Sequence, residues 1–188
     1  CALPILAFIT TIEPENAQGE LKEIYDSLVK SRGKVADVHK IQSLNPASIV
    51  HHMDLYMTIM YGKSPLKRVL REMMGVVVSM SNKCYYCTEH HAEAVNHYWK
   101  DDQRIEFLRK DFQLAGLSER ERLLCEFASE ITTSPVAMED GNWVRRLQKS
   151  GFSDREILDA TLVCSYFNFV NRMVLALGAK TSDEEVGG

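Results

Sequence analysis

What most constrains the fold of this chain is its punctuation. Asn45-Pro46, Ser64-Pro65 and Ser134-Pro135 each set a capping side chain before a proline. That order suits the start of a helix, where the N–H that proline lacks would have no intrahelical partner. Ser118-x-x-Glu121 and Ser153-x-x-Glu156 are capping boxes, and Gly33, Gly151 and Gly178 stand where helices should stop. These marks predict helices over 14–31, 46–60, 65–80, 83–99, 118–132, 136–149 and 153–177, with a short further one within 102–113. Leu21, Ile24, Tyr25 and Leu28 form one helical stripe. Ile157, Leu158, Thr161, Leu162, Cys164 and Ser165 form a broad face of smaller residues. There is no hairpin signal and no clear alternating strand, and Val76-Val77-Val78 lies inside the helical frame that begins at Ser64. The expected class is all-α, a bundle of about seven or eight helices. It forms one domain over residues 1–188, with frayed ends near 1–12 and 181–188.

Composition narrows the function. An apolar fraction of 45% with 26% charged residues is ordinary for a globular chain. The net charge of −4 is spread with mixed signs and makes no basic stripe, so no nucleic-acid partner is expected. The apolar start, Cys1 to Phe8, has no basic region ahead of it and reads poorly as a signal peptide. No uncharged apolar run approaches the roughly 18 residues of a membrane span, so no membrane association is expected. Five cysteines do not make a secreted disulfide framework. A reducing cytoplasm is the expected setting, and there a Cys-x-x-Cys pair is more often catalytic or metal-binding than structural.

Such a pair is present. In Cys84-Tyr85-Tyr86-Cys87-Thr88-Glu89-His90-His91 two thiols three residues apart are followed by an imidazole four residues after the second. On an α-helix Cys84, Cys87 and His91 fall within about 60° of one another. Ser81-Asn82-Lys83 interrupts the helix before them, and Ser81 or Asn82 can cap the next one. Cys84 then lies in the first turn, where free N–H groups and the helix dipole stabilise a thiolate. His91 is placed to take the proton of Cys87. A thiolate of this kind attacks a peroxide oxygen or a disulfide sulfur, and its neighbour closes the disulfide. The dipole favours Cys84 as the attacking sulfur and the imidazole favours Cys87, so local physics leaves that choice open.

Glu72, twelve residues before Cys84, followed by Cys84-x-x-Cys87-x-x-x-His91, resembles the signature of the AhpD alkyl hydroperoxidases in the carboxymuconolactone decarboxylase-like superfamily. Gly33-Lys34-Val35, Arg71-Glu72 and the run from Tyr166 to Arg172 resemble its peroxidase-related branch, so the likeness extends from about Pro14 to Gly178. The resemblance implies an all-helical fold that self-associates into trimers, hexamers or larger rings. It also implies hydroperoxide reduction through the Cys pair without a bound cofactor, and reduction by an external dithiol of lipoyl or thioredoxin-like type. It gives Glu72 and His91 the role of a proton relay, Cys87 that of the peroxidatic sulfur and Cys84 that of the resolving one. Relatives that carry a second histidine within the Cys-x-x-Cys differ from this chain, which has Tyr86. A phenol with a pKa of about 10 is a poor base, so Tyr86 is expected to orient a water or peroxide, with His90 as a substitute base.

The competing reading is a metal-binding or redox-sensing module. Zinc requires four ligands, this helix supplies three, and only Glu72 or His97 could complete the set, which puts redox chemistry ahead. Read alone, Glu72 is a surface carboxylate paired with Arg68 at i−4. Asn168, Asn171 and Arg172 interrupt an apolar helix and are expected to hydrogen-bond between helices or subunits, with the wall of the active-site cleft as their functional alternative. His51 and His52 read as core or interface, and Tyr85 as packing or pocket. Cys125 and Cys164 read as inert buried thiols, and Cys1 as a consequence of where the sequence begins.

Overall fold

The structure, a computed structural model, describes residues 7–179. Cys1 and the acidic tail from Thr181 to Gly188 lie outside the described residues. Within them the chain is all-α, as its punctuation predicts, with no strand among the described residues. The order is α1 (Gly19–Arg32), α2 (Asp37–Lys40), α3 (Pro46–Tyr56), α4 (Arg68–Ser81), α5 (Tyr85–Trp99), α6 (Asp102–Lys110), α7 (Glu119–Thr133), α8 (Asn142–Lys149) and α9 (Asp154–Leu177).

Several boundaries move for local reasons. Pro14 opens only a 3-10 turn, and α1 begins at Gly19. The four-residue α2 has no counterpart in the sequence prediction. The expected 46–60 helix leaves α geometry at Tyr56 and continues as a π turn over Met57–Tyr61. Ser64-Pro65 does not open α4. The Ser64 hydroxyl instead accepts from the Leu66 N–H at 3.0 Å in a local turn, and the helix starts at Arg68. Ser134-Pro135 opens a 3-10 turn that Gly141, at φ 68°, separates from α8. The box at Ser118 forms with both reciprocal bonds.

The chain divides into two compact units. The first runs to Thr58 and resumes at Met173. There Leu21, Tyr25 and Leu28 of α1 pack with Ile49 of α3, Ala17 and Val35. Residues 7–12, expected to fray, are tied down: Phe8 N–H donates to Leu177 O at 2.7 Å and Ile12 N–H to Ser43 Oγ at 2.9 Å. His52 is buried here with its Nδ1 2.8 Å from Gln42 Nε2, which makes it the core residue the sequence suggests, whereas His51 is exposed.

The second unit, Ile59–Arg172, is organised around α4, which packs on α5 and α7. Nine consecutive residues of α4, Arg71–Ser79, are buried, so the helix is enclosed on all sides rather than on one face. By length and composition alone α9 could cross a membrane. Its polar residues include Asp159, which accepts from Ser64 and Arg155, and the buried Asn171, which donates to Ser79.

Burial alone lowers the His52 pKa from 6.5 to about 4. A histidine whose folded pKa is depressed stabilises the fold fully above its unfolded value of about 6.5. That contribution, on the order of 3 kcal/mol for a shift of this size, disappears as the pH falls from 6.5 to 4. Urea unfolding between pH 6.5 and 4.5 should therefore show the wild type losing stability faster than His52→Gln. Parallel curves would refute this.

Candidate active site

Two helix ends build the site. Lys83, a non-glycine residue at φ 58°, takes the left-handed conformation after α4. Its N–H donates to Met80 O at 2.9 Å, and the Cys84 N–H reaches back to Ser79 O at 2.8 Å. This pair of bonds is a Schellman motif. Cys84 is therefore not in the first turn of α5, as expected, but is its N-cap, and Asn82 is the C-cap of α4. Cys87 follows in the third helical position and His91 one turn later, so all three belong to one helix as the spacing predicts.

The two sulfurs are 2.8 Å apart and share a hydrogen bond, both as free thiols with 1% and 3% exposure. The hydrogen bond from the Cys87 side chain lowers the pKa of Cys84. Burial opposes the effect, and the backbone N–H of Cys87 adds to it. Cys87 is pushed up, first by its bond to Cys84, then by burial and by the charge on that sulfur. Within the pair, a first negative charge is therefore favoured on Cys84 over Cys87. Asn171 of α9 hydrogen-bonds the Cys87 sulfur and partly offsets the rise.

Glu72 is 1% exposed. Burial raises its pKa, but His91 and Arg68 outweigh that effect and hold the carboxyl below its ordinary value. Its Oε2 lies 2.7 Å from His91 Nδ1, while Arg68 donates to Oε1 through Nε at 2.7 Å and also through Nη2. The pairing with Arg68 seen in the sequence is real, but its carboxylate end is buried and its guanidinium half-buried rather than solvated. The His91 ring is set edge-on to Phe167 of α9, 4.4 Å between centroids.

Asn168 and Asn171 of α9 hydrogen-bond between helices as expected, whereas Arg172 stays within its own helix and donates to Asn168 O and Oδ1. Asn82 Nδ2 donates to Asn168 Oδ1 and Asn171 Oδ1, both at 3.0 Å, and Asn171 Nδ2 donates to Ser79 Oγ at 3.2 Å. Asn168 donates to Thr132 on α7. The sequence carries no sign of the contact between Asn171 and Cys87, because a polar residue in an apolar helix says nothing about which thiol it meets. Tyr86 stacks on His90 at 5.8 Å between centroids. His97 stands edge-on to Tyr98, and among the described residues no group of three or more His, Cys, Asp or Glu side chains could hold a metal ion. Cys125 and Cys164 are fully buried, and burial raises both thiols.

Residues 51–109, which include Glu72, Cys84, Cys87 and His91, match the carboxymuconolactone decarboxylase family. A solved structure from Silicibacter sp. TM1040, an uncharacterized peroxidase-related protein, is 32% identical with a TM-score of 0.80, over 89% of this chain and 87% of that one. An alkylhydroperoxidase AhpD core structure from Ralstonia eutropha JMP134, also peroxidase-related, is 21% identical with a TM-score of 0.85, over 98% and 96% of the two chains. The uncharacterized protein YdfG of Bacillus subtilis (strain 168) is 23% identical over 122 residues, 65% of this chain and 82% of that one.

Two substitutions test this architecture. A Cβ at Gly75 would stand 2.7 Å from the ring of Phe167, which is fully buried. Gly75→Ala should therefore lower stability by about 1–3 kcal/mol in urea unfolding, and an unchanged midpoint would contradict this packing. Lys83→Gly relieves the left-handed strain at an exposed position and should raise stability by about 0.5–1 kcal/mol. A loss would mean that Lys83 does not adopt this conformation.

Proposed function

Because this chain belongs to the carboxymuconolactone decarboxylase family, in its AhpD-like, peroxidase-related branch, we propose that it reduces hydroperoxides through a disulfide cycle of Cys84 and Cys87. The observation that carries this reading is the buried pair of thiols 2.8 Å apart, with a Glu72–His91 pair one helical turn beyond Cys87. Two sulfurs this close form a disulfide with little backbone movement, since each already lies against its partner.

In the proposed cycle Cys84 carries the first charge of the pair, and the proton on Cys87 passes to His91. The Cys87 thiolate attacks the terminal peroxide oxygen, the O–O bond breaks, and the alkoxide leaves as an alcohol with a proton returned from the relay. Cys87 is then a sulfenic acid. Cys84 then attacks the Cys87 sulfur, forming the S–S bond and expelling hydroxide, which takes a proton from solvent and leaves as water. Two electrons pass from the dithiol to the peroxide, and an external dithiol of lipoyl or thioredoxin-like type restores the thiols. The assignment of Cys87 as attacking sulfur follows the family resemblance, while the first charge on Cys84 suits the resolving role. Self-association into trimers or hexamers and work in a reducing cytoplasm belong to the same proposal. The metal-binding alternative is disfavoured by the ligand set, because Glu72 is engaged by Arg68 and His91 rather than turned to the thiols.

One equivalent of peroxide should remove two free thiols per chain, and a dithiol should restore them. Cys84→Ser and Cys87→Ser should each lower turnover by at least about 100-fold, with Cys84→Ser alone leaving a sulfenic acid that dimedone traps. Undiminished peroxide consumption by the double serine variant would end this reading.

A further inference from the structure

Arg68 stands one helical turn before Glu72 on α4 and directs its guanidinium to a single carboxylate oxygen. Both Nε and Nη2 donate to Glu72 Oε1, which leaves Oε2 to face His91 Nδ1 at 2.7 Å. The guanidinium also lies over the ring of Tyr61, 3.5 Å from its centroid, so its position is fixed from two sides. We propose that Arg68 is a positioning residue of the dithiol centre: by holding Oε1 it keeps Glu72 a carboxylate, which makes His91 carry its hydrogen on Nδ1 and leaves Nε2 open to receive a thiol proton. This rests on the reading of His91 as the proton acceptor.

An ionised carboxylate can only accept hydrogen bonds, so the imidazole nitrogen facing it must be the donor. A buried carboxyl without enough positive charge beside it neutralises instead. Burial is the largest influence on Glu72, and the charge and hydrogen bonds of Arg68 are among those that oppose it. Without the Arg68 charge two states remain. In one, a protonated Glu72 donates to Nδ1 and the ring hydrogen moves to Nε2. In the other, the carboxylate draws a second proton onto the ring. Both states put a hydrogen on Nε2, and neither leaves a base for the thiol.

Arg71 cannot take over. It is buried beside the cluster on the same helix, but its Nη1 donates to the carbonyls of Ile59 at 2.7 Å and Gly62 at 3.3 Å, anchoring the end of the π turn. Arg71 therefore reaches Glu72 only as a distant charge. Asp159 of α9 and Tyr98 of α5 act on Arg71 in turn.

Nitrogen NMR of the reduced, 15N-labelled protein at pH 7.5, with His91→Gln to assign the ring, reads the hydrogen directly. The wild type should show His91 Nδ1 with hydrogen and Nε2 without. Arg68→Gln should place hydrogen on Nε2 in most molecules and slow alkylation of the dithiol by iodoacetamide about tenfold. Arg68→Lys, which keeps the cation, should retain most of the wild-type pattern. A wild-type ring bearing hydrogen on Nε2 overturns the proposal whether or not Arg68→Gln folds, and so does an Arg68→Gln ring identical to the wild type. Peroxide turnover measured alongside separates the two readings. A wild type with the expected ring pattern and no turnover counts against the peroxidase and leaves the role of Arg68 standing.

Discussion

A carboxylate with 1% exposure is unfavourable in a helical core, and much of the second unit is arranged so that Glu72 can stay ionised there. Moving an unpaired charge into such surroundings costs several kcal/mol even after relaxation. Glu72 is tolerated because Arg68 lies one turn before it and because α5 brings His91 to its other oxygen. That requires α4 to be enclosed, α5 to return against it, and Phe167 of α9 to back the imidazole. A buried ion cluster of this kind is seldom the most stable filling for its volume, since apolar residues of similar size often do as well or better. Stability alone therefore does not account for the cluster.

Four buried cysteines in one unit show how far surroundings decide the chemistry of a thiol. Cys125 and Cys164 have no resolved stabilising partner and are driven up by burial, as inert thiols should be. Cys84 is equally shielded from solvent, yet the Cys87 side chain and a helix N-terminus favour its charged form. Solvent exposure does not separate the two classes. A neighbouring hydrogen-bond donor does.

Much of this was legible in the sequence, because helix termini are written in local chemistry. Proline after a capping residue, a serine–glutamate box or a terminal glycine each acts within a few residues. Their failures have local causes too: Ser64 caps a turn rather than a helix, and the Schellman end of α4 is hidden by a lysine where glycine is usual. The in-line spacing of Cys84, Cys87 and His91 gave their common helix. What the spacing could not give was any contact between helices. The burial of the Arg68–Glu72 pair, the ring of Phe167 against His91 and the amide of Asn171 on Cys87 depend on how α4, α5 and α9 pack.

Cys84 belongs to two helices at once, closing the hydrogen bonding of α4 and starting α5. No slack separates the helix that carries the carboxylate from the one that carries the imidazole, so the interval between Glu72 and Cys84 acts as a ruler. Each residue of helix turns the chain by about 100°. An insertion or deletion of one residue between these positions would swing His91 away from Oε2, even if every side chain of the cluster were kept. At this junction, length constrains the chain more tightly than residue identity.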